Sequence, residues 1–383
     1  MSTSIYDFAI IGAGAAGIHL ALAMQEDPFF SDKKILILEK EAKNVNDKTW
    51  CFWEVGKGKW DDLLSHSWGQ AKVHTGSEEI NMDLEDYRYK MIRSLDFYEN
   101  GQKRLKQAPE FDWIKEEVDE VKAIGDEVKI TAGENSYLAK QVFDSRITAD
   151  NTSVSRSNTV LQHFKGWFIE TEEDVFDPSC FVMMDFRLTW KDRTSFTYLL
   201  PTSERTALVE FTFFSPDLVD EAVYDQMIQK YVDQILQPGK FHITETEAGV
   251  IPMSDYPYHE HNTNQITRIG TAGSWVKPSS GYHFKNAERY SRKLIENIKK
   301  GKEPSAHIFS KKHRFYDSVF LNVLKKKNHM GQSQFSTMYS KNSASEIFRF
   351  LDEETNLREE VKIMAGFEKL LFMRAMWRHF WKS

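Results

Sequence analysis

The chain has 383 residues, long enough for two large subdomains that each bury a core. With 41% hydrophobic and 28% charged residues it reads as globular, and a net charge of −7 argues against a nucleic-acid partner. Its two cysteines, Cys51 and Cys180, form no C-x-x-C pair, which points to a reducing compartment without a disulfide framework.

Neither a basic n-region nor an apolar h-region precedes the first strand, so no signal peptide is expected. No apolar run reaches the roughly 18 residues needed to span a bilayer. A cytoplasmic location is expected, with peripheral association at the inner face of the membrane left open. Aromatic residues, 13% of the chain, suit either a large apolar cavity or a well-packed core.

Residues 6–11 form a short apolar run fit for a buried parallel strand. Gly12, Gly14 and Gly17 follow at G-x-G-x-x-G spacing, then a helix over 15–25 and a second strand over 34–38 that closes with Glu39. Gly12 permits the tight turn, Gly14 lets backbone approach a pyrophosphate, and Gly17 allows close helix–strand packing. The free N–H groups of the helix N-terminus face the phosphates, and Glu39 stands where a carboxylate binds ribose hydroxyls. This βαβ unit predicts a dinucleotide site, in a pattern closer to FAD proteins than to soluble NAD dehydrogenases. No second motif of this kind occurs.

Asp47-Lys-Thr-Trp-Cys-Phe-Trp53 reads as a loop, either with Trp50 packed into the core or lining a cofactor with aromatics. Residues 67–83 alternate like strands. In Tyr87-Arg-Tyr-Lys-Met-Ile-Arg93, Arg88 and Lys90 read as solvated face charges, and a helix starts near Ser94. Residues 116–142 alternate like a small meander. A mostly antiparallel sheet is predicted from residue 162 onward.

Within it, residues 197–214 hold two apolar runs around a polar turn, with Glu210 inside the second. A carboxylate buried unpaired there is costly, which makes Glu210 the residue to explain. Residues 222–236 read as an amphipathic helix, and 247–253 as a segment leaving the sheet. Gly270, Gly273, Pro278 and Gly281 precede a helix over 284–299, a second place where backbone can approach a ligand. His259-Glu-His261 lacks a third ligand at any useful spacing, so it reads as a solvated loop and no metal is expected. Residues 300–383 are helical in pattern. Over 367–382, Leu370, Met373, Trp377 and Trp381 share one face among basic residues, suited to an anionic membrane or to docking on the protein itself.

Several motifs occur together in a specific order: Gly12-Ala-Gly-Ala-Ala-Gly17, Asp47-Lys-Thr-Trp50, Tyr89-Lys-Met-Ile-Arg93, Phe143-Asp-Ser-Arg146, Gln162 with Gly166, Met184-Asp-Phe-Arg187, Leu200-Pro201, Leu208-Val-Glu-Phe-Thr212, Gly249-Val-Ile-Pro252, and Gly270-Thr-Ala-Gly273 with Lys277-Pro-Ser-Ser-Gly-Tyr282. In these the chain resembles the bacterial lycopene β-cyclases, flavoproteins related to the plant lycopene cyclases. The resemblance implies an α/β fold with a Rossmann-like FAD-binding domain (1–60, 95–150 and 248–300), a mostly antiparallel substrate domain (61–94 and 151–247) and a helical C-terminal region (301–383).

It further implies a cofactor set of Gly12, Ala13, Gly14, Ala16, Gly17, Glu39 and Lys40 from the first unit, and Thr49 and Trp50 from the segment after it. Gly270, Ala272, Gly273, Pro278, Gly281 and Tyr282 complete this set. Glu210 inherits the role of the essential carboxylate. Phe211 stands where relatives often carry a second acid, a departure from a two-carboxylate pattern. The acid run Phe350-Leu-Asp-Glu-Glu-Thr355 looks more like the plant motif but falls in the helical region, where it reads as a solvated helix face.

The implied activity is a redox-neutral cyclisation of lycopene or a related acyclic carotenoid, at one or both ends. A proton reaches the terminal C=C, C5=C6 attacks the C1 cation, and loss of the C6 proton leaves a β-ring. The implied cofactor is reduced FAD with NADPH as electron source, and the first proton comes from Glu210 or from the flavin. The substrate lives in membranes, so a peripheral membrane contact is expected, with no obligatory protein partner. A flavin monooxygenase, an isoprenoid double-bond reductase and a binding-only flavoprotein are the alternatives.

Overall fold

The computed structural model describes residues 5–147 and 157–367. The amphipathic tail expected over 367–382 therefore lies, beyond Phe367, outside the described residues.

The chain opens with β1 (Ile5–Ile11), α1 (Ala15–Gln25) and β2 (Ile35–Leu38), as the βαβ reading expects. There follow β3 (Thr49–Val55), β4 (Leu64–Trp68), β5 (Gln70–His74), β6 (Glu79–Asp83), β7 (Tyr87–Arg93) and α2 (Ser94–Gln107). Next come β8 (Phe111–Ile114), β9 (Glu120–Ile124), β10 (Glu127–Ala132) and β11 (Asn135–Asp144). The second half begins with β12 (Thr159–Thr171), β13 (Cys180–Asp185), β14 (Thr194–Pro201), β15 (Thr206–Ser215), α3 (Glu221–Tyr231), β16 (Phe241–Ser254) and β17 (Ile266–Arg268). It ends with α4 (Phe284–Lys299), α5 (Lys311–Lys326), α6 (Gly331–Lys341), α7 (Ala344–Leu351) and α8 (Leu357–Ala365).

Two large sheets and a small one result. In the first, β8, β2, β1, β11 and β17 run parallel, and the meander β9–β10 extends it antiparallel from β11. The central strands β1 and β2 are apolar on both faces because both are covered. Helix α1 is buried from Ala15 to Met24, packed between this sheet, α2 and α4. A helix enclosed on all sides has no reason to segregate polar residues onto one face, and α1 does not.

The second sheet has the order β16-β12-β15-β14-β13-β5-β6 and is antiparallel except where β13 meets β5. Along β15 the period of two divides the side chains. Val209, Phe211 and Phe213 pack against Tyr224, Met227, Ile228 and Tyr231 of α3. Each such aromatic removed from water contributes about 1.5–3 kcal/mol. Leu208, Glu210, Thr212 and Phe214 take the opposite face, towards a cavity that α5–α8 enclose. The third sheet, β3-β7-β4, closes one side of that cavity.

Five local expectations are corrected. Residues 49–53 are strand rather than loop, because β3 pairs with β7 along its length. Lys90 is not solvated: it is 1% exposed, and its ammonium reaches Glu54, Asp61 and the Gly56 carbonyl at 3.1, 2.5 and 2.8 Å. The segment 247–253 stays in the sheet as part of β16, an edge strand paired throughout with β12. In the His259-Glu-His261 turn, His259 packs on Phe309 and His261 bonds to the Tyr256 hydroxyl, so the turn is half-buried rather than solvated.

The acid run at 350–355 is the turn between α7 and α8, folded inward. Asp352 accepts the Trp53 indole N–H at 2.6 Å, and burial pushes its carboxyl up to about 6. Glu353 pairs with Lys277 at 3.3 Å, and Lys277 pairs with Asp317 of α5, also at 3.3 Å. This buried triad ties the Gly270–Tyr282 segment to the C-terminal helices.

Removing Lys277 takes the ion pair from buried Asp317 and leaves Glu353 with the longer contact to Arg289 at 4.0 Å. Lys277→Met is therefore expected to lose roughly 3–5 kcal/mol in urea denaturation. A loss below about 1 kcal/mol would mean that the cluster behaves as a solvated surface pair.

Candidate active site

Two features meet here: a glycine-built cradle at the start of α1 and an apolar cavity beneath the second sheet. In the cradle Gly12 has φ +91, and a Cβ on Gly17 would stand 1.9 Å from the Gly12 carbonyl oxygen. Both positions therefore require glycine. Gly14 is the N-cap of α1; no side chain caps the helix and no acid lies in its first turn. Nothing lies within 4 Å of a Cβ built on Gly14. An uncapped helix end with open space before it offers N–H donors and a positive dipole to an anion.

Glu39 is buried at the end of β2, where it accepts from the Ala13 N–H at 2.5 Å and the Glu41 N–H at 2.9 Å. Lys40 is exposed and pairs with Glu117 at 3.4 Å. The second glycine segment folds over the first. Gly270 has φ +61, and its Cβ would stand 3.2 Å from the Cβ of Ala16. Ala272, Gly273 and Pro278 are buried behind it.

The cavity measures about 680 Å³. Of the residues singled out in the sequence, Thr49, Trp50, Glu210, Gly281 and Tyr282 line it, whereas Gly12, Gly14, Glu39, Gly270, Gly273 and Pro278 do not. Val250 and Val361 line it and are each more than half exposed, marking where it reaches the surface. Three buried polar atoms on its wall, Gln162 Oε1, Ser280 Oγ and His283 Nε2, have no hydrogen-bond partner among the described residues. Such atoms are rarely left unmatched unless a ligand or water serves them. Burial holds the His283 imidazole down at about 4, so it is neutral.

Glu210 sits in a single row across the second sheet. Register pairs Glu247 of β16 with Gly166 of β12, Gly166 with Glu210 of β15, and Glu210 with Tyr198 of β14. All four share one face. Gly166 contributes no side chain between the two acids: a Cβ there would stand 3.4 Å from both Glu210 Cβ and Glu247 Cγ, and Leu208 leans over the glycine with its Cδ1 2.7 Å from that position. Thr212 donates its hydroxyl to Glu210 Oε1 at 2.6 Å, and Thr49 donates to Glu247 Oε2 at 2.6 Å.

Burial raises the Glu210 carboxyl to about 8, and the neighbouring Glu247 adds to this. Burial raises Glu247 as well, opposed by Thr49 and by the nearby cations Arg93 and Lys48. Beside them Tyr198 donates to the Tyr89 oxygen at 2.6 Å, and the Tyr89 and Tyr282 hydroxyls are 3.0 Å apart. Burial pushes all three phenols and the Cys51 thiol upward, so they are neutral. The cavity can thus hold an apolar molecule against a protonated carboxylic acid.

The sequence reading named Tyr282 but gave no site role to Glu247, Tyr89 or Tyr198. A carboxylate on an edge strand usually points to water, and only the register with Gly166 reveals that this one points inward. Phe211, the position beside Glu210, faces α3, so an acid there would stand on the wrong side of the sheet.

Solved structures share this architecture. A geranylgeranyl bacteriochlorophyll reductase-like protein from Thermoplasma acidophilum has a TM-score of 0.63 at 13% identity, over 97% of this chain and 98% of its own. A flavoprotein/dehydrogenase from Cytophaga hutchinsonii has a TM-score of 0.63 at 12% identity, over 99% and 100%. A mutant of the halogenase PltM, in complex with FAD, has a TM-score of 0.55 at 11% identity, over 97% and 86%. The fold is therefore the mixed α/β fold of FAD-dependent oxidoreductases, with a parallel sheet, an antiparallel sheet and C-terminal helices. The family model described as lycopene cyclase protein matches residues 7–379, and the chain belongs to that family. No curated protein matches it. Among the described residues no helix is long and apolar enough to cross a membrane.

The buried acid has a consequence for stability. Glu210 keeps in the folded state a proton that the unfolded chain releases above about 4.5, so the native state loses stability as pH rises from about 4.5 towards 8. Glu210→Gln keeps the shape without the titration. Urea denaturation across this range is expected to show a shallower decline for the variant. Equal slopes would mean that Glu210 ionises in the folded protein as it does in water.

Proposed function

We propose that the chain cyclises the ψ-ends of lycopene or a related acyclic carotenoid to β-rings without net redox change. The observation that carries this reading is a carboxylic acid, Glu210, kept protonated on the wall of an apolar cavity. Membership of the lycopene cyclase family supports it.

In this reading Glu210 delivers its proton to the terminal C=C, and Thr212 holds one carboxyl oxygen so that the other is aimed inward. A raised carboxyl suits this role, because an acid is most effective when its pKa lies near the working pH. The apolar lining keeps water from capturing the cation. Tyr89, Tyr198 and Tyr282 present neutral rings to the cavity, whose faces favour developing positive charge.

The residues fit a bound FAD. Gly12, Ala13, Gly14, Ala16 and Gly17 would take the pyrophosphate and Glu39 the ribose, with Lys40 at the rim. Thr49, Trp50, Gly270, Ala272, Gly273, Pro278, Gly281 and Tyr282 would border the ring system, and Gln162, Ser280 and His283 hold unmatched polar atoms for its edge. When bound in the reduced form, with NADPH as electron source, FAD supplies negative charge close to the developing cation. The proposed division is an FAD-binding domain (1–60, 95–150, 248–300), a substrate domain (61–94, 151–247) and a helical region (301–383). Exposed Val361 at the cavity's edge supports uptake of the hydrocarbon at a membrane surface.

One incubation tests this: the protein with lycopene and reduced FAD, without air. The expected product has the mass of the substrate and absorbs at shorter wavelength. Glu210→Gln is expected to slow its formation by roughly 100-fold or more, the usual worth of general acid catalysis. A product bearing added oxygen when air is admitted, a product bearing two added hydrogens, or no turnover would each overturn the proposal.

A further inference from the structure

Cyclisation needs a proton removed as well as a proton supplied, and the cavity wall holds two carboxyl groups. Glu210 and Glu247 occupy one row on one face of the sheet and both line the cavity. The strand between them contributes only Gly166, over which Leu208 leans, so both acids pack against the same glycine. Each acid has one oxygen engaged by a threonine hydroxyl, Thr212 on Glu210 Oε1 and Thr49 on Glu247 Oε2. Their other oxygens carry no hydrogen bond among the described residues.

The surroundings are unequal. Glu210 faces Thr212, Tyr198, Leu208 and the other acid, none of them cationic. Glu247 lies near Arg93 and Lys48, with Glu245 engaging the Arg93 guanidinium. With one proton between the pair, the charge belongs on Glu247 and the proton on Glu210. Cys51, Tyr89 and Tyr282, the remaining titratable groups nearby, stay neutral.

We propose that Glu247 is the base of the reaction, taking the C6 proton and returning it to Glu210 along the cavity wall that both acids line. This rests on the cyclase reading. Glu210 gives its proton to C2, leaving a cation at C1. The C5=C6 electron pair forms the C1–C6 bond and moves the cation to C5. The Glu247 carboxylate removes the hydrogen on C6, and the C–H pair becomes the new C5=C6 bond. Proton return from Glu247 to Glu210 restores the starting state, with no proton or electron consumed.

The test uses Glu247→Gln in the full chain, with reduced FAD and lycopene under anaerobic conditions. β-Ring formation is expected to fall roughly 100-fold or more. The residual product is expected to be enriched in rings formed by proton loss from C4, because the C5 cation then lacks its base at C6. Loss of a merely structural contact would not change which hydrogen leaves. A second variant, Glu247→Asp, keeps a carboxylate at the position and is expected to restore β-ring formation well above the Glu247→Gln level. Glu247→Gln forming β-rings at the wild-type rate and ring composition, or no gain in β-ring formation from Glu247→Asp over Glu247→Gln, overturns the proposal while leaving the cyclase reading standing. Failure of the wild-type protein to form any ring overturns both.

Discussion

A carboxyl group enclosed by apolar side chains must either lose its charge or find a partner for it, and Glu210 does the first. Among the described residues its hydrogen-bond donor is the Thr212 hydroxyl two residues along the same strand, and the charge that bears on it is that of another acid, Glu247. The Thr212 hydrogen bond favours the carboxylate, but burial and the neighbouring acid outweigh it, so the proton stays. That condition depends on dryness. Phe164, Phe196, Leu200, Leu208 and Phe214 surround the acid from the sheet, and α5–α8 close the side facing away from the strands. The cavity is useful to an acid–base reaction on a hydrocarbon because the same side chains repel water and raise the acid.

The cradle and the cavity are built by different sheets, and the Gly270–Tyr282 segment joins them. At its start Gly270 presses on Ala16 of α1; at its end Gly281 and Tyr282 line the cavity. Between these ends Lys277 is pinned by Asp317 and Glu353. The segment also buries Ala272, Trp275 and Val276 along its length. The buried ion cluster sets its path and also fixes the turn between α7 and α8, so the helices roofing the cavity and the loop bordering the cofactor cradle are positioned by one set of charges.

The first half of the fold was legible because its signals are local. Apolar runs of strand length, glycines at fixed spacing and a helix without acids in its first turn all concern residues within about 30 positions of one another. The hairpin of β14 and β15 was legible for the same reason. The errors at Lys90 and at the 350–355 acid run share one cause. Charged residues read singly belong to the surface; these are buried because opposite charges from distant segments meet them.

What the sequence determined by itself is the βαβ cradle, the two-sheet plan and the presence of an acid within an apolar strand. Those follow from periodicity and from the conformational needs of glycine, which act over a few residues. The tertiary structure decided which face of β15 meets the cavity, that Phe211 turns away from it, and that Glu247, 37 positions beyond Glu210, is the acid that stands beside it. Strand pairing alone sets that neighbour, since register across β15, β12 and β16 depends on long-range hydrogen bonds that no short stretch of sequence encodes.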